Sequence, residues 1–194
     1  MSKIEVDSLT HTGNNSTDNL ILASNGNVSV AGALSAGSFV GAGLFASYAI
    51  LEDQKSNGTD GGGITAGSWV KRDLNTEVTD PDGIVSISSD QFTLGAGTYL
   101  IKWRCPAYHL NTWQTRLYNA TDSALVGNGD SVYSRDLYHY NHSQGAVRVT
   151  IAGSKAFEIQ QQCATTAASN GLGVASTFDG GVEIYTRVEI YKEA

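Results

Sequence analysis

The sequence predicts an all-β antiparallel β-sandwich, or jelly roll, behind an extended N-terminal β-hairpin arm. Three observations carry that prediction. From Ser47 onward, roughly eight to ten short stretches alternate apolar and polar residues, turn residues punctuate them regularly, and none has a helical period. Glycine occurs 22 times against two prolines, the balance of a chain with many tight turns and no proline-rich linker. Finally, Ile84 to Cys105 holds two alternating runs around Gly95, Ala96 and Gly97. In the second run Tyr99, Ile101, Trp103 and Cys105 share one parity, and Leu100, Lys102 and Arg104 the other. Successive strand residues point to opposite faces, so the first set faces a core and needs a second sheet to cover it. This stretch is read as a β-hairpin turning at the two glycines.

Residues 1–46 read as an attachment arm and 47–194 as the sandwich head. The arm has no tryptophan or tyrosine. Asn25-Gly26 marks a two-residue turn, because a type I′ turn needs positive φ twice. That turn sets Ile21 opposite Val30, Ala23 opposite Val28, Leu20 opposite Ala31 and Leu22 opposite Ser29, which makes both faces apolar. A lone hairpin is marginal in water, so Leu20, Ile21, Leu22, Val28, Val30 and Leu34 are expected to bind another protein. The alternative is a flexible arm with a coincidental hairpin.

In the head, Tyr48 to Gln54 is the first strand, and Lys55 to Gly67 reads as a long surface loop. Short strand pieces between Trp69 and Val78 end at the turn Asp80 to Gly83. His109 to Asn119 sets Trp113, Thr115 and Leu117 against Gln114, Arg116 and Tyr118. Short pieces follow at Ala124 to Val126 and near Val132. Ala146 to Ile151 turns Val147, Val149 and Ile151 inward; Lys155 to Cys163 does the same with Phe157, Ile159 and Cys163. Ala164 to Gly180 is a second long loop. The last strand, Val182 to Tyr191, sets Val182, Ile184, Val188 and Ile190 inward and Glu183, Tyr185, Arg187, Glu189 and Tyr191 outward.

The formal net charge of -7 argues against nucleic acid or an anionic membrane as partner, and no apolar run has the length of a membrane span. Acidic residues interrupt residues 1–7, unlike a signal peptide, so synthesis in a cytoplasm is expected. Cys105 and Cys163 read as buried thiols, or as a bridge if their strand ends meet.

No catalytic constellation is legible, so the chain reads as a non-enzyme without cofactor or metal. His139 and His142 have an H-x2-H spacing, but no third ligand lies near in sequence. Asp80, Asp82 and the Asn57 to Asp60 loop lack a calcium-ligand ladder, and turn chemistry explains them. Gly58 to Gly63 lacks the lysine and serine of a phosphate loop. No serine sits in a nucleophile elbow, and Cys163 has no cationic neighbour in sequence. Tyr133, Arg135, Tyr138, His139, Tyr140 and His142 form an aromatic and basic run that suits a receptor contact or, equally, the cover of a sandwich edge.

The segment FTLGAGTYLIKW, Phe92 to Trp103, resembles the aromatic–Gly–x–Tyr strand signature of the C1q/TNF-like jelly roll. RLYN at 116–119 and GGVEIYTRVEI at 180–190 match that family's strand before a turn and its closing strand. The opening SKIEVD and the segment GNVSVAGALSAGSF at 26–39 resemble virion proteins of tailed bacteriophages, cyanophages especially. This resemblance implies a homotrimer with an N-terminal attachment arm. It would be a capsid cement or decoration protein on the outer capsid surface, whose arm binds the major capsid protein. The alternative it implies is the receptor-binding tip of a tail fibre or tailspike recognising a host surface glycan. The trimer interface is expected at Tyr185, Arg187 and Tyr191, with Arg104 and Arg148 on neighbouring strands, because exposed aromatics rimmed by charge mark contact surfaces.

Overall fold

A computed structural model describes residues 8–9, 20–22, 28–30, 44–134, 139–178 and 180–194. The chain divides into two units, Met1–Ala42 and Gly43–Ala194. The division precedes the boundary at residue 46 read from composition, because Phe45 already pairs with Glu193 of the last strand.

In the first unit β1 (Ser8–Leu9), β2 (Leu20–Leu22) and β3 (Val28–Val30) form an antiparallel sheet in that order. The hairpin exists, but its register differs from the expected one. Leu20 pairs with Val30, Ile21 with Ser29 and Leu22 with Val28. An odd number of residues, 23–27, therefore separates the innermost pair, where a two-residue turn would leave an even number. A one-residue slip exchanges faces, and the four paired aliphatics now share one parity. Leu34 lies outside the described residues.

The second unit contains β4 (Phe45–Ser56), β5 (Val70–Lys71), β6 (Thr76–Thr79), β7 (Val85–Ser88), β8 (Gln91–Leu94), β9 (Gly97–Tyr108), β10 (Thr112–Asn119), β11 (Ala124–Tyr133), β12 (Tyr140–Ile151), β13 (Lys155–Cys163) and β14 (Val182–Glu193). No helix occurs among the described residues. One sheet runs β11-β10-β13-β8-β7, with β5 also on β13; the other runs β12-β9-β14-β4-β6. Every pairing is antiparallel.

The apolar parities read from the sequence close the space between the sheets. Leu51, Phe92, Leu94, Ile101, Leu117, Phe157, Val188 and Ile190 have no exposure at all, and the Phe92 and Phe157 rings stack at 5.7 Å. Burying one such side chain is worth about 1.5–3 kcal/mol. Polar bonds reinforce one side: Trp103 Nε1 donates to Thr115 Oγ1 (2.9 Å), Thr115 and Ser143 share a 2.7 Å hydroxyl bond, and Ser143 Oγ reaches the Asp130 carbonyl (2.8 Å). That chain ties β9 and β12 of one sheet to β10 and β11 of the other.

The hairpin expected at Gly95 to Gly97 is not one. β8 pairs with β7 and β13, whereas β9 pairs with β12 and β14, so the link carries the chain from one sheet to the other. The actual hairpin is β7–β8. Its turn residues Ser89 and Asp90 both have positive φ, 53° and 60°, the backbone of a type I′ turn without glycine. Ala124–Tyr133 is one strand, where the sequence suggested two pieces.

The two long loops are also less superficial than expected. Ile64 and Ala167 exchange backbone bonds of 2.8 and 3.0 Å, and Gly61 and Leu172 bond Gly173 and Gly62. These links bury Ile64, Ala167 and Leu172 with Leu110, Trp113 and Cys163 in a second, smaller core. Both cysteines are buried and free.

Candidate functional site

The outward face of the β12-β9-β14-β4 sheet is built from three registered rows. Arg148, Leu100, Tyr191 and Tyr48 form one; Ala146, Lys102, Glu189 and Ile50 the next; Gln144, Arg104, Arg187 and Glu52 the third. Strand parity places them together, so four of the five expected interface residues share this face: Arg104, Arg148, Arg187 and Tyr191.

Most of its charges are compensated within the chain. Arg148 forks onto both Glu193 oxygens at 2.6 and 2.7 Å, which holds that carboxyl below the usual range. Lys102 lies 3.3 Å from Glu189, and Arg187 lies 2.6 Å from the buried Glu52. Arg104 is the exception. It is exposed, it pairs across the strands with Arg187, and it has no ion-pair partner among the described residues. Like charges directly opposite are unfavourable, so this row leaves one cation uncompensated. Beside it a concavity of about 490 Å³ is lined by Lys102, Arg104, Arg187, Glu189, Asp130 and Gln144. At the other end, Tyr191 stands 5.1 Å from Phe45, and Tyr48 is 45% exposed. Sequence reasoning missed Phe45, Tyr48 and Ile50. For Tyr48 and Ile50 the signal was the outward parity of the first strand, readable only once that strand is known to flank the last; Phe45 is on the other parity and pairs with Glu193 across a register shift.

The fifth residue, Tyr185, faces inward. It is 3% exposed, and its hydroxyl donates to the Thr59 carbonyl at 2.7 Å. The cause is a β-bulge: Ile184 pairs with Gln54 and Arg187 with Glu52, so Tyr185 and Thr186 together oppose Asp53. The extra residue reverses the parity of everything before it. Val182 and Ile184, expected inside, are 54% and 37% exposed; Glu183, expected outside, is buried. Burial by its surroundings raises the Tyr185 phenol far above its ordinary range.

Glu183 closes the loops at this end. Its carboxylate accepts from the backbone N–H groups of Ser176 (3.0 Å), Thr177 (3.0 Å) and Gly58 (3.2 Å), and from the Ser176 hydroxyl. These bonds favour the ionised form and hold the carboxyl at about 2, against an ordinary 4.5. The folded value is the lower one, so the stabilisation is complete above about pH 5 and is lost as pH falls from 4.5 toward 2. The Glu183 carboxyl carbon should therefore titrate by NMR with a midpoint near 2. A midpoint at the ordinary value would show that the anchor does not form.

The aromatic and basic run expected to make one receptor patch is distributed over two places. Arg135 and Tyr138 lie outside the described residues. Tyr133, 65% exposed, borders a cleft with Trp69 and Trp113. Tyr140 borders another concavity with Val174, Val182, Ile184 and Tyr185, and packs edge-on against His142 at 5.5 Å. Burial, then the Arg104 and Arg72 charges, lower the His142 pKa, which leaves its imidazole neutral near pH 7. His139 is exposed. Among the described residues no three His, Cys, Asp or Glu side chains are grouped to hold a metal ion. Burial also raises the Cys105 thiol to about 11.

Neither protein-family models nor curated protein sequences match this chain. Solved structures do match. Murine APRIL superposes with a TM-score of 0.50 at 8% identity, over 75% of this chain and 98% of that one. The sandwich has the C1q/TNF-like jelly-roll fold. The globular domain of zebrafish complement 1qA matches at a TM-score of 0.44 and 11% identity, over 76% of this chain and 96% of its own. Eiger TNF from S. frugiperda matches at 0.44 and 12%, over 76% and 92%. At such identities the C1q/TNF-like likeness is one of architecture, and function has to be argued from the surfaces above.

Proposed function

We propose that this chain is a non-enzymatic, trimeric cement protein of a bacteriophage head. Its arm binds the major capsid protein and its jelly-roll head faces outward. The observation that carries self-association is the uncompensated Arg104 in the row Gln144, Arg104, Arg187 and Glu52. A monomer would leave that cation beside a like charge, whereas a neighbouring copy can supply a carboxylate. The aromatic group of Phe45, Tyr48 and Tyr191 on the same face, and the exposed Val182, Ile184 and Phe178 near the loop end, add apolar area of the kind interfaces cover.

The arm supports attachment. It forms a unit separate from the head, with its own three-stranded sheet, and four paired aliphatics, Leu20, Leu22, Val28 and Val30, lie on one parity. Three arms on one trimer act multivalently, so affinities too weak singly add up on a repeating shell. Removing residues 1–42 should leave a soluble oligomer that no longer decorates purified heads. Full occupancy by the truncated protein would refute the attachment role. Exposed Tyr133 and Tyr140 favour a second reading, the receptor-binding tip of a tail fibre that recognises host surface glycan. Copy number separates the two: hundreds per virion means cement, a small multiple of the tail symmetry means a tip.

A further inference from the structure

A cleft of about 420 Å³ opens where β10, β11 and β13 meet the segment before β5. Trp69 and Tyr133 line it as aromatic surfaces, and the nearly buried Trp113 and Cys163 form its floor. No lining residue is a carboxylate, lysine, arginine or histidine. The polar groups are amides and hydroxyls, chiefly Gln114, Gln162 and Ser131.

Two features make this a prepared site. First, both glutamine amides are pinned by their nitrogens. Gln114 Nε2 donates to the Gly129 carbonyl (2.9 Å) and to Ser131 Oγ (3.2 Å), and Gln162 Nε2 donates to the Gly67 carbonyl (3.2 Å). Among the described residues neither Oε1 receives a protein donor, so two oriented acceptors remain for a ligand. Second, the Arg116 guanidinium sits 4.1 Å from the centre of the Trp69 ring and is itself held by Gln160 at 2.7 Å. That cation–π contact fixes the indole before any ligand arrives, which lowers the ordering cost of binding.

The required ligand has an apolar face for an aromatic ring, hydroxyl donors for two carbonyls, and no charge. An anion finds no cation in the lining itself, since the Arg116 guanidinium is engaged by the Trp69 and Tyr118 rings and by Gln160, and a purely apolar ligand would bury two acceptors unpaired. We infer that this cleft binds an uncharged carbohydrate, its sugar packing against both Trp69 and Tyr133 and its hydroxyls donating to Gln114 and Gln162. The volume lies at the small end of ligand sites, enough for one or two sugar rings. The inference is independent of the virion reading, since it rests on the cleft alone.

The test uses the full chain with methyl glycosides of glucose, galactose, mannose and N-acetylglucosamine, and their uncharged disaccharides, at millimolar concentration. Sialyllactose and a sulfated disaccharide are the charged comparisons. Saturation-transfer NMR and tryptophan fluorescence report binding. At least one uncharged sugar should bind, with affinity falling on the order of tenfold or more in Tyr133→Ala and in Trp69→Ala. Tyr133 is mostly exposed, so its variant keeps the fold even if Trp69→Ala does not. Binding by charged sugars alone, no binding across the uncharged panel, or binding unchanged in Tyr133→Ala would each overturn the inference.

Discussion

Replacing Arg72 with leucine should destabilise the head by about 3–5 kcal/mol, because it leaves several buried acceptors unpaired and each costs about 1–3 kcal/mol. Arg72 is 1% exposed. Its guanidinium donates to Thr186 Oγ1 (3.0 Å), the Pro106 carbonyl (3.1 Å), Gln161 Oε1 (2.5 Å) and the Leu172 carbonyl (2.9 Å), so one side chain joins β14, β9, β13 and the 164–181 loop. The fork geometry of arginine is what reaches four acceptors in different directions. Leucine would fill the space and leave those acceptors buried and unpaired. Gln161 would suffer most, because it is fully buried and its Nε2 already has no bonding partner among the described residues. Asp53, whose pKa burial raises, would also lose a cation that moderates it. Arg72→Lys should fall between the two, with the charge kept but the fork lost. Urea unfolding measures the change directly. A loss below about 0.5 kcal/mol, the range of surface substitutions, would mean the network does not hold the loop end.

The second large effect is a pair. Trp103→Ala should cost about 3–5 kcal/mol through cavity formation, whereas Gly145→Ala should cost about 1–3 kcal/mol through overpacking. A Cβ on Gly145 would lie 2.0 Å from the Trp103 ring, closer than atoms can approach. The two residues are cross-strand partners on β12 and β9, and the indole occupies the space a side chain at 145 would need. The penalty therefore belongs to the pair. In a Trp103→Ala background, Gly145→Ala should cost close to nothing, so a double-mutant cycle should return a coupling of about 1–3 kcal/mol. An equal penalty in both backgrounds would place the strain in the backbone.

The core was largely legible because strand parity is a local property. Tyr99, Ile101, Trp103, Phe157 and Ile159 could be assigned inward from alternation alone, and all are buried. What failed depends on pairing across long sequence separations. Gly95 to Gly97 permits a tight turn and equally permits a step between sheets; only the partners of β8 and β9 decide. The bulge opposite Asp53 has no glycine or other local mark, so Tyr185 and Val182 exchanged sides unannounced. Arg72 stands between Lys71 and Asp73 in the short strand pieces after Trp69, where nothing local marks it as buried. Its burial follows from carbonyls of remote segments that no local pattern shows. Of the candidate site, Arg104, Arg148, Arg187 and Tyr191 were found by parity. The Trp69–Tyr133 cleft was not, because its residues come from four separate stretches.

The proposed trimer makes the outward face of the β12-β9-β14-β4 sheet a contact between copies of the chain. Sedimentation equilibrium of the full-length protein tests it most directly, run on the wild type and on Arg104→Glu. In an isolated chain that substitution faces Arg187 and relieves a like-charge contact, so it should not harm the fold. The wild type should sediment at three times the 20.5 kDa of one chain, and the variant should shift toward the single-chain mass while keeping the β-sheet circular dichroism of the folded head. A wild-type protein that sediments as a single 20.5 kDa chain at the highest attainable concentration would contradict the proposed trimer.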